Sequence, residues 1–268
     1  MKELKAKLFT TWCWTLCGLI TAFWASISIA ASLVSNSGRL QHYCMRRWSK
    51  GNLWISRVRL EIEGLENIYR DRPQVLAVNH SGLHDILSLA AYFPIQFRWI
   101  AKKSLFSIPF MGWHMRRSGY IPIDRENPRE IATSIAAAAK EISSGGNAII
   151  FPEGKRSKTG ELGEFQSGAF ALCLRAGVPL VPVVIEGSGR VIAPETLRVN
   201  PGTVIRIRIC QPIDTASYQK SEKKRLMEDA FSVMSRALAE LQNRRQPDEE
   251  LRDPVRRWID GRSRKSRR

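Results

Sequence analysis

Residues 77–87, with the sequence AVNHSGLHDIL, place two histidines and one aspartate within six positions. The run QVLAV just before Asn79 is typical of a buried strand, and helical character begins near Ser81 or Gly82. Ligands usually bind at the carboxyl ends of the strands in an α/β sheet. The histidines and the aspartate therefore stand where a catalytic or binding site is expected.

His80 and Asp85 are five positions apart, which separates two side chains by about 140° on a regular helix. They can meet only if His80 precedes the helix and Asp85 lies in its early turns, which a break at Gly82 permits. Asp85 would then fix the imidazole tautomer, leaving the other nitrogen to take a proton from an attacking hydroxyl. His84 points elsewhere on the helix. This stretch alone is equally consistent with a histidine that caps a helix and an aspartate that binds backbone amides.

Three further stretches carry polar or unusual residues within or after apolar runs: GYIPIDR at 119–125, FPEGKRS at 151–157 and LVPVVI at 180–185. A glycine between an acid and two bases lets the backbone approach a ligand closely, and clustered cations beside backbone amides suit a phosphate. Taken singly, each stretch has an ordinary alternative. Arg125 could end a surface strand, the EGKRS turn could be solvated, and Pro182 could mark a sheet edge or a bulge.

Together and in this order, the four stretches resemble the four motif blocks of the glycerolipid acyltransferase family, which includes the 1-acylglycerol-3-phosphate acyltransferases. NHSGLHD is similar to the family's N-H-x-x-x-x-D, and FPEGKRS is similar to F-P-E-G-T-R-S. The connecting segments AKKSLFSIPFMGW and GAFALCLRAGVPLVPV also look like the family, so the resemblance covers roughly residues 57–215. Lys155 departs from the usual threonine, and FQSGAF lacks a lysine pair often found there.

The resemblance implies that His80 is a general base and that Asp85 is its orienting partner. The base would deprotonate the free hydroxyl of a lysophospholipid, whose oxygen would attack the thioester of acyl-CoA or of an acyl-carrier protein. No covalent acyl-enzyme is needed, in keeping with the lack of a nucleophile-elbow motif. Pro182 would shape the acyl-donor site or pocket. The substrate phosphate would be held by a group comprising Arg125, Glu153, Gly154, Arg156 and Lys102.

Within that group, Glu153 is expected to orient a basic residue or to bond a substrate hydroxyl. For Lys102, a solvated strand end is an equal alternative. The resemblance favours lysophosphatidic acid as the acceptor and phosphatidic acid as the product. Glycerol-3-phosphate, another lysophospholipid or a lyso-ornithine lipid stays open as the acceptor, because fold and motifs do not separate these substrates.

Two other functions compete with acyl transfer as interpretations of the sequence. A non-catalytic membrane- or nucleic-acid-binding protein would explain the net charge of +17 but not a His–Asp pair beside a phosphate turn. A metal hydrolase needs more well-spaced ligands than this stretch supplies. We therefore expect no metal, no cofactor and no nucleic-acid partner, with the acyl thioester serving as co-substrate.

An uncharged segment from residue 8 to residue 38 is long enough to cross a bilayer of about 30 Å. It exceeds the 7–15 apolar residues of a usual signal peptide and has lysines before it and arginines after it. It predicts membrane attachment as one span, a re-entrant hairpin or an interfacial helix, with anionic lipids as partners. Five cysteines without a CxxC motif indicate neither a disulfide framework nor a zinc site. The expected location is a bacterial inner membrane, with the active site facing the cytoplasm.

Alternating strand and helix patterns from about residue 57 predict an α/β fold, with a mixed, largely parallel sheet covered by helices and an N-terminal membrane-associated helical segment. Asn127, Pro128 and Gly145 are typical of the start and the end of one helix. An amphipathic helix is predicted for 219–245. The predicted organisation is a membrane segment with a basic connector at 1–56, an acyltransferase domain at 57–245 and a poorly ordered basic tail at 246–268.

Overall fold

Among the residues that the structure describes, seven strands form one sheet, and helices cover both of its faces. The structure is a computed structural model that describes residues 2–34, 38–108, 111–123, 128–192 and 197–252. The strands are β1 (Arg59–Glu63), β2 (Val75–Val78), β3 (Arg98–Lys102), β4 (Ile121–Ile123), β5 (Ala148–Ile150), β6 (Leu180–Glu186) and β7 (Val204–Ile209). The helices are α1 (Lys2–Val34), α2 (Arg39–Ile55), α3 (Leu83–Tyr92), α4 (Met111–Arg117), α5 (Pro128–Ser143), α6 (Ser167–Ala176) and α7 (Lys223–Arg252).

The strand order is β1-β7-β6-β2-β5-β3-β4, and every pair is parallel except β6 with β7. The prediction of a mixed, largely parallel sheet is therefore confirmed. The central strand β2 is buried along its whole length, as expected for a short apolar run between two covered faces. Because β2 ends at Val78, the residues that follow emerge at the carboxyl edge of the sheet.

Alternate residues of β2 enter two separate cores. Val75 and Ala77 face the core that includes residues of α5, α6 and α7, whereas Leu76 and Val78 face the core that includes residues of α2 and α3. This alternation follows from the two-residue period of a strand. The candidate site thus rests on a strand that packing fixes from both sides.

Helices α1 and α2 form an antiparallel hairpin. In the middle of the hairpin the Trp48 indole donates to Thr21 Oγ1 at 2.8 Å, and at the end of α2 the Cys13 thiol approaches the Ile55 carbonyl at 3.4 Å. Residues Glu3–Leu33 are long and apolar enough to cross a membrane, and only 11% of their most apolar window is buried. The predicted basic connector is therefore mostly helix α2, packed on α1 and on α3.

The other predicted elements lie close to the observed ones. Helix α5 begins at Pro128 as predicted, although Asn127 lies outside the described residues. Helix α6 ends before Gly177, which adopts φ +63 as a left-handed cap. Helix α7 continues to Arg252, seven residues beyond the predicted end at 245, so the first part of the predicted tail is helical. The remainder of that tail, 253–268, lies outside the described residues.

Candidate active site

The junction between β2 and α3 brings His80 and Asp85 together. Nδ1 of His80 lies 2.7 Å from Oδ2 of Asp85, so the predicted contact is present. His80 precedes the helix, and Asp85 lies in the first turn of α3, three residues after its N-cap Gly82. Gly82 is fully extended, with φ −161 and ψ 172, which turns the chain between the two side chains. The five-residue spacing therefore closes as the sequence analysis required.

Asp85 also satisfies the alternative interpretation, because its Oδ2 accepts hydrogen bonds from two backbone amides. The amide of Ser81 lies at 2.7 Å and that of Gly82 at 2.8 Å. The side chain is fully buried, and an ionised carboxylate in this position is stabilised by the amides and by the helix N-terminus. Capping the helix and orienting the imidazole are therefore two roles of one carboxylate.

The same junction is held to the neighbouring strand β6. The Asn79 side chain donates to the Ile185 carbonyl at 2.9 Å and accepts from the Ile185 amide at 2.7 Å. It thereby replaces a backbone pairing where β2 has ended. A Cβ on Gly82 would lie 2.9 Å from the Ser188 carbonyl oxygen, so only glycine allows this close approach. The sequence analysis assigned no role to Asn79.

The Glu153 side chain binds two backbone amides beside His80, and its part in holding a substrate phosphate stays a prediction. Its Oε1 accepts from the His80 amide at 2.8 Å, and its Oε2 accepts from the Gly163 amide at 2.9 Å. Burial raises the pKa of the Glu153 carboxyl above its ordinary value, and the two amide hydrogen bonds oppose that shift. The side chain is 5% exposed, so it ties the backbone of His80 to the loop after the turn.

The turn after β5 carries the predicted basic residues. Gly154 adopts φ +71, a conformation that favours glycine. Lys155, Arg156 and Lys158 are all exposed. The Ser157 amide donates to the His80 carbonyl at 2.7 Å, which fixes the turn beside the histidine. The turn therefore presents positive charge at the edge of the His80 site.

An aromatic ring supports the imidazole, and the sequence analysis missed it. The ring of Phe151 stacks on His80 with centroids 4.0 Å apart and an interplanar angle of 17°. Phe151 begins the FPEGKRS stretch, but no spacing rule connects an aromatic ring to a histidine 71 positions earlier. Within the part of the chain that the structure describes, Nε2 of His80 takes part in no hydrogen bond.

The remaining predicted residues lie at different distances from this centre. Lys102 is exposed at the end of β3, two strands away from β2 in the sheet order. Arg125 lies outside the described residues. Pro182 is buried in the middle of β6 and pairs in register with Ala77, three residues before His80. Because β6 is a central strand, Pro182 is not an edge residue, but the pairing beside it shifts by one residue between Pro182–Cys210 and Leu180–Ile213, as at a bulge. Its part in shaping an acyl-donor pocket stays a prediction.

His84 is a wall residue rather than a second base. Its Nε2 lies 3.2 Å from Ser56 Oγ, and burial lowers its pKa to about 4, so it is neutral at physiological pH. It lines an apolar cleft of about 440 Å³ between α3 and the α1–α2 hairpin. Leu83 and Leu87 of α3 line the same cleft, which begins directly beside the first turn that carries Asp85.

The arrangement can perform proton abstraction. Because the Asp85 carboxylate also accepts two amides, Nδ1 of His80 carries the proton that it shares with Asp85, and the lone pair lies on Nε2. Among the described residues, no group of three histidine, cysteine, aspartate or glutamate side chains could hold a metal ion. The chemistry that this geometry supports is general base catalysis at Nε2.

Known proteins share this sequence pattern. Residues 59–186 match the family model described as Acyltransferase. A chloroplastic 1-acyl-sn-glycerol-3-phosphate acyltransferase of Arabidopsis thaliana is 31% identical over 65% of this chain and 49% of its own length. The 1-acyl-sn-glycerol-3-phosphate acyltransferase of Salmonella typhimurium is 31% identical over 62% of this chain and 67% of its own length. The chain thus spans about half the length of the plant relative.

A solved structure shares the fold. The crystal structure of the 1-acyl-sn-glycerophosphate acyltransferase from Thermotoga maritima superposes with a TM-score of 0.77, covering 90% of this chain and 98% of that one. The two sequences are 23% identical. The coverage includes more than the α/β part, since 90% of the chain exceeds the share occupied by residues 57–245.

Proposed function

This chain belongs to the acyltransferase family, and from that membership we propose that it acylates the sn-2 hydroxyl of 1-acyl-sn-glycerol 3-phosphate. The acyl donor is acyl-CoA or an acyl-carrier protein, and the product is phosphatidic acid. The observation that carries the proposal is the 2.7 Å contact between His80 and Asp85 beside an exposed basic turn. The relatives from Arabidopsis thaliana and Salmonella typhimurium are both named 1-acyl-sn-glycerol-3-phosphate acyltransferases, which supports the choice of acceptor.

The reaction is a direct acyl transfer. Nε2 of His80 takes the proton of the sn-2 hydroxyl as that oxygen attacks the thioester carbonyl carbon. Asp85, bonded at Nδ1, stabilises the imidazolium that forms. The tetrahedral intermediate then collapses, the carbon–sulfur bond breaks, and the imidazolium returns its proton to the leaving thiolate. An ester and a free thiol result, and no oxidant or metal is required.

The basic turn suits an anionic acceptor. A phosphomonoester carries about −1.5 to −2 charge near pH 7 and three acceptor oxygens. Lys155, Arg156 and Lys158 place exposed cations on the turn whose Ser157 amide binds the His80 backbone. A phosphate held there would place a glycerol hydroxyl near His80. Arg125 and Lys102 remain proposed contributors to phosphate binding.

The apolar cleft and the hairpin suit a lipid substrate. The cleft lies between α3 and the hairpin, so an alkyl chain could lie in it while the polar end reaches the first turn of α3. At about 100° per residue, seven exposed apolar side chains of α1 fall within about 140° of its circumference. They are Leu4, Leu8, Trp12, Leu19, Phe23, Ile27 and Leu33.

Contacts along α1 favour an interfacial helix among the three forms that the sequence left open. The Trp14 indole donates to the Leu197 carbonyl at 2.9 Å, and Ser28 lies 3.0 Å from Nδ1 of His114. Both partners belong to the α/β part, so α1 lies along it instead of projecting away from it. We propose that the hairpin lies in one leaflet with its apolar face in the lipid. In a bacterial cell this would be the cytoplasmic leaflet of the inner membrane.

The test uses the full-length protein with lysophosphatidate and acyl-CoA, or acyl-carrier protein, in mixed micelles. Mass spectrometry should detect phosphatidate in stoichiometric yield with free thiol. His80→Ala should lower kcat by about 10²–10⁴-fold, the usual contribution of a general base. His114→Gln is the matched control, because glutamine can keep the bond to Ser28 and lies outside the site.

Three results would contradict the proposal in different ways. Transfer to glycerol 3-phosphate or to another lysolipid, with none to lysophosphatidate, would overturn the acceptor but keep the chemistry. A His80→Ala protein with full activity would remove His80 as the base. Vesicle binding without any acyl transfer to the whole panel of acceptors would favour the non-catalytic alternative.

A further inference from the structure

A column of aromatic rings connects His80 to the membrane hairpin. Phe151 stacks on His80 at 4.0 Å, and the parallel ring of Trp99 lies 5.8 Å beyond Phe151 with an interplanar angle of 14°. The Trp99 indole then donates to Met45 Sδ at 3.3 Å. Met45 lies in α2, so three contacts lead from the imidazole to the hairpin. We call Phe151 and Trp99 the aromatic column.

The base of the column is fixed from several directions. The Tyr120 hydroxyl also donates to Met45 Sδ, at 2.9 Å, so one sulfur receives two donors. Phe97 packs its edge on Trp99 with centroids 5.2 Å apart. Met45 and Trp99 are each only 7% exposed. A methionine side chain is normally adaptable, and here two hydrogen bonds restrict it.

The column supplies a constraint that Asp85 cannot. A hydrogen bond at Nδ1 fixes one ring atom of His80 but leaves the ring free to tilt about that contact. A flat aromatic surface 4.0 Å away fixes the plane of the ring. Both constraints are needed to aim Nε2 at a hydroxyl within hydrogen-bond reach, and a misplacement of about 1 Å can cost about 100-fold in rate.

We propose that the aromatic column, which contacts Met45 of helix α2, positions the general base. Helix α2 of the membrane hairpin would then determine the orientation of the His80 ring. This inference rests on the proposed function, in which His80 removes the acceptor proton. Phe151, Trp99 and Met45 are positioning residues in this account, since they act through His80. The hairpin then has a second role beyond membrane attachment.

The first experiment compares kcat with KM in full-length variants. Phe151→Leu should lower kcat about tenfold and change KM for lysophosphatidate by less than twofold, and Phe151→Tyr should restore kcat. Phe165→Leu is the matched control, because Phe165 stacks on Phe170 in a different core at 5.9 Å. It should lose comparable thermal stability but keep kcat. If Phe151→Leu fails to fold, kcat and KM of Trp99→Phe test the same column.

The second experiment is a double-mutant cycle that combines Met45→Leu with Phe151→Leu. The two effects on kcat should deviate from simple multiplication by at least threefold, because both act on one ring. Met45→Leu with Phe165→Leu should multiply as independent changes do. Independent effects of Met45 and Phe151, an unchanged kcat in Phe151→Leu, or a change confined to KM would each overturn the inference. If His80→Ala is also fully active, the proposed function has failed first.

Discussion

Two buried carboxylates serve one histidine in different ways. Asp85 contacts the imidazole ring, whereas Glu153 contacts the backbone amide of the same residue. Burial raises the pKa of Glu153, which means that its ionised form is costly to bury. Two amide hydrogen bonds offset part of that cost, and together they hold His80 between the strand end and the loop at Gly163. A neutral isostere should reveal this role.

Glu153→Gln should impair catalysis and stability together. Glutamine has only one side-chain acceptor oxygen, so its NH₂ group must face the amide of His80 or of Gly163. We expect kcat to fall at least tenfold and the free energy of unfolding to fall by about 1–3 kcal/mol, the usual cost of an unsatisfied buried group. Kinetics and thermal unfolding check both effects. Glu164→Gln, exposed on the same loop, should match the parent protein. Full activity in Glu153→Gln would contradict the positioning role.

His84 should make the protein less stable in mild acid. Burial lowers its folded-state pKa to about 4 from an ordinary value of 6.5, so the unfolded chain binds a proton before the folded one does. Stability is therefore lost as pH falls from 6.5 towards 4, by up to about 3 kcal/mol at 1.36 kcal/mol per pH unit. The drop in unfolding temperature between pH 7 and pH 5 should be smaller in His84→Gln. Equal drops in the two proteins would show that His84 is not the cause.

At the scale of residues, the sequence predicted contacts between residues that are close along the chain and missed contacts between residues that are far apart along it. The His80–Asp85 contact followed from a glycine break before a helix, a local feature. The two partners of Glu153 are backbone amides, which carry no side-chain signature that a sequence could show. The stack of Phe151 on His80 depends on two adjacent strand ends, which only the sheet order reveals.

At the scale of elements, contacts with neighbouring segments hold the β2–α3 junction in place. Asn79 continues the pairing with β6, and Gly82 lies so close to residues 188–189 that a Cβ there would be 2.9 Å from the Ser188 carbonyl oxygen. Helix α3 then begins with a half-satisfied cap, in which the Asp85 side chain binds the Gly82 amide. A side chain at position 82 would push this junction away from β6.

Gly82→Ala should reduce activity without any backbone strain of its own. The residue is extended, but an added Cβ would lie 2.9 Å from a backbone oxygen of Ser188, which cannot swing aside. We expect at least a tenfold loss of kcat, measured with saturating lysolipid. Gly168→Ala in α6 is the control, because its Cβ would meet only the flexible tip of Ile135 at 3.4 Å. The control should keep activity and gain up to about 1 kcal/mol of stability. Equal kcat values in both variants would show that close packing at Gly82 does not matter for catalysis.

Two elements differed from their sequence predictions for physical reasons. Helix α2 was predicted as a connector because its buried face includes polar residues such as Gln41 and Asn52, which hide the helical period. Taken alone, Pro182 indicated an edge strand or a bulge. Strand β6 is central and not an edge, but the pairing beside Pro182 shifts by one residue, since Leu180 pairs with Ile213. The Pro182 carbonyl accepts from the Cys210 amide, one residue beyond the end of β7. The missing N–H therefore falls at the end of the β6–β7 ladder, where little pairing is lost.

At the scale of the whole molecule, the site, the cleft and the hairpin lie on one side. The cleft is bounded by α1 and α2 as well as by the helix that carries Asp85. Exposed Arg47 and Lys50 of α2 stand among exposed apolar residues of the hairpin, where they could contact anionic headgroups. If the hairpin lies in a leaflet, as proposed, a lipid substrate would enter this cleft from the membrane side.

The apolar stripe of α1 should be the main determinant of membrane binding. Leu19 and Phe23 are 63% and 59% exposed on that stripe, and burial of each in lipid is worth about 1.5–3 kcal/mol. Leu19→Asp with Phe23→Asp should therefore lower partitioning into phosphatidylglycerol-containing vesicles at least tenfold, measured by co-sedimentation. Val233→Asp, 36% exposed on α7, should bind as the parent does. Activity on a short-chain, monomeric lysolipid should persist in the double variant, because the His80–Asp85 contact lies outside the stripe. Unchanged co-sedimentation would show that another surface holds the protein to the membrane.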